Sequence, residues 1–252
     1  MIVEFMGLPG SGKTRLHRTA RKVIEKGGYS VWDPDEIWDS IRRHKEKSDA
    51  KALTRTLKLA TKVVLDLVPQ LPQLFRFCTR HFRFVFGIFW MALRNPNTIR
   101  TRLLLVKYLL IDICQYADIS DHNGEEEIVL VDEGFIQHIF TNLVQSSHNT
   151  DFQKVRWYIK NAPLPDLLIY VPTTPETCLQ RMRKRGLPRR LQHEPIDTVR
   201  TLLSRGDEVF AFVFGIIERI SHGMTKAHAL GKQPSQEIRR IFLVHIAALA
   251  KG

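Results

Sequence analysis

A chain of 252 residues, 44% hydrophobic and 25% charged, has the balance of a globular protein that buries a full core, which excludes the disordered and fibrous classes. The uncharged apolar run Phe84–Leu93 has ten residues, about half of the ~20 that a membrane-crossing helix needs. The net charge of +12 is concentrated: residues 41–110 hold 15 Lys and Arg against 3 Asp and Glu, and the rest of the chain is neutral.

Met1 leads directly into an apolar run, so no leader peptide is expected. Cys78, Cys114 and Cys178 are far apart with no C-x-x-C spacing, the pattern of reduced thiols, and a cytoplasmic location is expected.

Ile2–Met6 reads as a first, central strand. Gly7-Leu8-Pro9-Gly10-Ser11-Gly12-Lys13-Thr14 follows it and fits G-x-x-x-x-G-K-[ST] at every fixed position. Glycines in such a loop let backbone N–H groups turn toward phosphate oxygens with no Cβ in the way. Lys13 reaches the β- and γ-phosphates, the Thr14 hydroxyl ligates Mg²⁺, and the helix over 13–26 points its positive end at the same anion. Gly27-Gly28 ends that helix.

Tyr29–Trp32 is a short second strand, and Asp33-Pro34-Asp35 follows it. A carboxylate there either caps the helix starting near Glu36 or accepts the proton of an attacking hydroxyl, and both Asp33 and Asp35 are candidates for that catalytic role. Residues 41–118 read as a basic α-helical insertion broken by prolines, with helices over 50–68, 74–93 and 98–116. It mixes Phe75, Phe77, Phe82, Phe84, Phe86, Phe89 and Trp90 with Arg76, Arg80, Arg83 and Arg94. That composition suits a packed insertion with a solvated basic rim, a face lying on an anionic membrane, or a groove for nucleic acid or another polyanion.

Glu127–Val131 is a third strand, ending in Asp132-Glu133. Asp132 at its tip is the expected Mg²⁺ partner of Thr14, and Glu133 positions either an attacking water or the acceptor. Helices are expected over 134–146 and 151–161, then a fourth strand over 167–171. Thr174 caps a helix with Pro175 in its first turn, ended by Gly186. Residues 181–195 carry the densest basic cluster, with Arg181 and Arg185 on one helix face and Arg189 and Arg190 beyond the break. Guanidinium groups on a closing lid stabilise the charge of a transferring phosphoryl group, with Arg190 on the nucleotide phosphates. Residues 196–220 read as helix, 226–230 as a weak fifth strand and 235–250 as a last helix.

Together Gly7–Thr14, the carboxylates after strand two, Val131-Asp132-Glu133 and Pro175-Glu176-x-x-x-x-Arg181-x-x-x-Arg185-Gly186 resemble small P-loop kinases of the thymidylate-kinase-like and deoxynucleoside-kinase-like groups. The resemblance covers residues 1–40 and 125–190. It implies a three-layer α/β P-loop NTPase fold around a five-stranded parallel sheet, with ATP, Mg²⁺ and phosphoryl transfer to a hydroxyl or phosphate of a small-molecule acceptor. Asp33-Pro34 with Trp38 five residues on matches the base motif of deoxynucleoside kinases, whereas a D-x-D element would favour Asp35. Those kinases place Arg after the strand-three carboxylate where this chain has Glu133, a departure from a nucleoside acceptor. Glu133 after Asp132 keeps an ATP hydrolase or nucleotide switch driving the helical insertion as one alternative, and the basic segment keeps a nucleic-acid-end or membrane-associated nucleotide-binding protein as another.

Overall fold

The computed structural model describes residues 1–33, 71–94, 109–110, 113–114, 116–117, 127–144, 150–188, 191–192, 194–220, 225–231 and 234–249. Five strands, β1 (Ile2–Met6), β2 (Ser30–Trp32), β3 (Glu127–Val131), β4 (Leu167–Tyr170) and β5 (Lys226–Ala229), form one sheet in the order β2-β3-β1-β4-β5. Every pairing is parallel, with Glu4 opposite Val131 on one side and Leu168 on the other. This is the five-stranded parallel sheet of a P-loop α/β fold, with β1 at its centre.

The alternation of side chains along the strands sorts them into two apolar layers. Val3, Phe5, Ile128, Leu130, Leu167 and Ile169 pack against α1 (Lys13–Lys26) and, later in the chain, a helix over Pro234–Leu249. Met6, Val129, Val131, Leu168 and Tyr170 face the opposite layer. That layer contains α2 (Leu71–Arg80), α3 (Phe82–Leu93), α4 (Phe135–Ile139), α5 (Phe152–Asn161), α6 (Pro175–Arg185) and α7 (Ile196–Ile220); the helix over 234–249 is α8.

Local signals set the helix ends. Asp151 caps α5 by accepting hydrogen bonds from the N–H groups of Gln153 and Lys154, and Thr174 accepts from the Thr177 N–H at the start of α6. Gly28 follows α1 at φ +86°, and Gly186 follows α6 at φ +92°, both where a side chain would be strained.

Several bounds differ from the expectation: β4 ends at Tyr170 and β5 at Ala229, each a residue early, α5 starts a residue late, and α8 runs over 234–249. The stretch 74–93 is two helices meeting at His81, whose N–H still donates to Phe77 O and whose carbonyl accepts from Val85 N–H. The helix expected from Gly134 starts at Phe135 and loosens into a π turn over Phe140–Val144, where Phe140 wedges against Gly206 of α7. The second strand begins at Ser30 and not Tyr29. The helix expected over 50–68 lies outside the described residues; of the one over 98–116, residues 109–110, 113–114 and 116 are described and helical.

An aromatic cluster fixes α2 and α3 to the sheet layer. Phe84 is 1% exposed and meets Phe135 and Tyr158 edge-on at centroid distances of 4.9 and 5.1 Å. Gly87 sits over the Trp157 ring, which a Cβ would meet at 1.9 Å, so only glycine lets α3 approach α5 this closely.

Candidate active site

The carboxyl ends of the strands gather the chemistry, as parallel sheets require. Residues 7–14 leave β1, Asp33 leaves β2, Asp132 and Glu133 leave β3, and Val171–Thr173 leave β4.

The loop is shaped by contacts that only glycine permits. Gly10 and Gly12 have φ of +86° and +103°. A Cβ on Gly10 would lie 2.7 Å from the Cys178 carbonyl of α6, and one on Gly7 would lie 2.9 Å from the Val171 carbonyl. Ser11 N–H closes the turn on Leu8 O at 3.0 Å, and Arg15 and Leu16 N–H begin α1 on Gly12 O.

Lys13 folds inward and donates through Nζ to Gly7 O at 2.7 Å and Leu8 O at 3.3 Å. Burial pushes its pKa down from the ordinary lysine value, and the Glu133 and Asp132 carboxylates pull it back up. Thr14 Oγ1 donates to Asp132 Oδ2 at 2.9 Å, across 118 residues of sequence. Asp132 Oδ1 is buried without a hydrogen-bond partner, and so is Ser11 Oγ inside the loop. Arg181 lies over the loop and donates through Nη1 to Ser11 O at 2.8 Å and Gly10 O at 3.4 Å.

Two clefts open beside the start of α1. One is lined by Thr14, Arg15, Arg18, Thr19, Lys22 and Arg185, four cations with no carboxylate among them. The other runs past Ser11, Gly12, Val171, Thr173 and Arg181 to Leu230 and Gly231 after β5.

The remaining expected residues divide. Asp33 is buried, with Oδ2 3.6 Å from Nε2 of His17 on α1. Glu133 is exposed, with Oε2 3.9 Å from His138 Nε2. Asp35, Arg189 and Arg190 lie outside the described residues, as does part of the arginine-rich segment 181–195. Among the described residues no group of three or more His, Cys, Asp or Glu side chains is arranged to hold a metal ion. The Thr14–Asp132 pair supplies one hydroxyl and one carboxylate. Mg²⁺ keeps several waters and asks for only one or two protein carboxylates, so the pair fits it.

A network that the motifs do not mark supports the loop from below. Glu4, in the middle of β1, is fully buried. Its Oε1 accepts from the Gln137 N–H at 2.8 Å and its Oε2 from the Tyr116 hydroxyl at 2.9 Å. Gln137 in turn accepts from the Gly7 N–H through Oε1 at 2.9 Å. Gly134 leaves room for this, since a Cβ there would lie 2.4 Å from Glu4 Cδ. Burial raises the Glu4 pKa to about 7, and its hydrogen bonds from Gln137 and Tyr116 limit the rise. The sequence holds only a trace of it, a lone ionisable residue inside an otherwise apolar strand, which says nothing of its partners.

No protein-family model and no curated protein matches the chain. Among solved structures it is similar to deoxyadenosine kinase from M. mycoides with products dCMP and a flexible dCDP bound. The identity is 13% and the TM-score 0.47, over 98% of this chain and 100% of that one. The same kinase with bound dATP gives 13% and 0.43, over the whole of both chains. Shikimate kinase from Acinetobacter baumannii in complex with shikimate gives 12% and 0.36, over 98% and 93%.

Proposed function

We propose that the chain is an ATP-dependent phosphotransferase that moves the γ-phosphoryl group to a hydroxyl or phosphate of a small acceptor. The observation that carries this reading is the contact of Thr14 Oγ1 with Asp132 Oδ2 beside a glycine loop that Lys13 and Arg181 both grip. Two separate parts of the chain thus bring a hydroxyl and a carboxylate to the same point, at the start of the helix whose positive end faces the loop.

In this reading Lys13 exchanges the Gly7 and Leu8 carbonyls for phosphate oxygens, and the anion favours the charged form that burial disfavours. The loop residues Gly7–Gly12 surround the phosphates with the N–H groups of Leu8, Gly10 and Gly12 turned to them, while the Gly7 and Ser11 N–H groups, held by Gln137 and Leu8, keep the loop in shape. Pro9 has no N–H to give and serves only to fix the turn. Thr14 and Asp132 hold Mg²⁺, which neutralises charge on the phosphate oxygens. Arg181, over the loop, and Arg185, in the flanking cleft, would stabilise charge on the transferring group in this reading, a role that the same chemistry assigns to Arg189 and Arg190. Asp33 or Asp35 takes the proton of the attacking hydroxyl.

The test is ATP consumption by the purified protein with Mg²⁺ against nucleosides, nucleotides, sugars and polynucleotide ends. Stimulation by one acceptor, with a phosphorylated product of matching mass, supports the proposal. Turnover that no acceptor stimulates and that Glu133→Gln abolishes would replace it with the hydrolase reading. With an acceptor in hand, Asp33→Asn and Asp35→Asn identify the base, whose loss costs roughly 10²–10⁴-fold in kcat.

A further inference from the structure

The helix pair α2–α3 carries a second apolar face that the core does not use. Phe77, Phe84 and Ile88 point inward and are buried. On the outside, Phe75, Phe82, Phe86, Trp90 and Leu93 recur at helical spacing and are 72%, 64%, 59%, 48% and 53% exposed. Phe82, Phe86 and Trp90 stand as a column, with centroids 5.9 and 6.2 Å apart and planes within 23° and 16° of parallel. A helix that is apolar on both sides, with Arg83 the one charge in its twelve residues, is not built for water on either.

Charge surrounds this ridge on one side. Arg76 and Arg80 on α2, with Arg83 on α3 and Arg94 just after it, give the pair a row of four exposed arginines along the chain. The Arg94 guanidinium lies 4.2 Å from the centre of the Trp90 ring. Residues 71–94 contain no Asp or Glu, and they sit within the segment of 15 basic and 3 acidic residues. Among the described residues no helix is long and apolar enough to cross a membrane.

We propose that the Phe75–Leu93 ridge docks flat on an anionic lipid surface, its aromatic rings in the headgroup–acyl boundary and its arginines on the phosphates. The geometry favours this occupant over two others. A nucleic acid would stack bases against free rings, but the near-parallel Phe82, Phe86 and Trp90 rings stand 5.9 and 6.2 Å apart, too close to admit a base between neighbours, and Arg94 already lies over Trp90. A second copy of the chain would bring two arginine rows together with no carboxylate in the helix pair to pair them. Lipid phosphates meet the arginines, and the boundary region takes the rings.

The experiment is flotation of the full chain with phosphatidylcholine vesicles, with and without phosphatidylglycerol. The protein is expected to float with the anionic vesicles and only weakly with the neutral ones. R76Q/R83Q/R94Q should weaken binding about a hundredfold and flatten its salt dependence. F82S/F86S/W90S should lose binding by more than about a hundredfold. Both variants should melt like the parent, because the replaced side chains are exposed. The proposal fails if anionic vesicles do not bind, or if both variants still float. It also fails if the serine variant instead dissolves a solution dimer or abolishes oligonucleotide binding. None of these results bears on phosphoryl transfer, which is read separately.

Discussion

The loop after β1 and the helix pair α2–α3 are held by different physics. The loop is fixed by directional polar contacts: Gln137 on the Gly7 N–H, Lys13 on two carbonyls, Arg181 on two more, and Thr14 on Asp132. The helix pair is fixed by ring packing, with Phe84 between Phe135 and Tyr158 and Gly87 on Trp157. The two meet at residues 132–137. Asp132 and Gln137 serve the loop, while Phe135 between them stacks on Phe77 and Tyr116. Polar contacts fix positions to fractions of an ångström, as chemistry requires, whereas aromatic packing anchors an element and leaves its outer face open to other use.

This contrast is broken or sharpened by four substitutions. Phe84→Ala has the largest expected effect, a loss of about 3–5 kcal/mol in urea unfolding, from the cavity it leaves at the anchor. A loss below about 1 kcal/mol would mean that other contacts hold α2–α3 to the sheet layer.

Glu4→Gln acts on the polar side and through pH. Because the folded-state pKa is raised from 4.5 to about 7, the native state binds a proton that the unfolded chain has given up. Stability from this group is therefore full below about pH 4.5 and falls as pH rises to about 7, by roughly 3 kcal/mol in all. Glutamine accepts from the same Gln137 N–H and carries no charge, so unfolding curves of the variant should lack this slope. Equal slopes in parent and variant would show that Glu4 stays ionised throughout.

Gly206→Ala would put a Cβ 2.4 Å from Phe140 Cε2 and 2.8 Å from Leu8 Cδ2. It should cost about 1–3 kcal/mol of stability. It should also weaken nucleotide binding, because Leu8 belongs to the loop; a stability loss with unchanged nucleotide affinity would separate the two. Phe86→Ala is the smallest, within about 0.5 kcal/mol in thermal unfolding, because the ring is more than half exposed.

Legibility in the sequence follows the same division. The sheet, β1 at its centre and the ends of α5 and α6 were readable, because apolar runs, Asp151, Thr174-Pro175 and Gly186 act within a few residues of themselves. The Thr14–Asp132 pairing was readable because each residue ends a strand-linked motif whose geometry the parallel sheet fixes. Glu4, Tyr116 and Gln137 were not, because their contacts span 112 and 133 residues and depend on which face of β1 meets α4. His17 was equally silent: nothing in its neighbours marks the contact with Asp33. The phenylalanines of 75–89 were visible as a cluster, but which of them face inward depends on Trp157 and Phe135, far along the chain.

The central claim is that the loop at residues 7–14 grips a triphosphate through Lys13 for transfer. Its most direct test is calorimetric titration of Mg²⁺-ATP into the parent chain and Lys13→Ala, with ATP turnover followed in parallel. The parent should bind saturably, and the variant should lose on the order of 10²–10³-fold in turnover and bind more weakly. Binding and turnover that survive Lys13→Ala unchanged would contradict it.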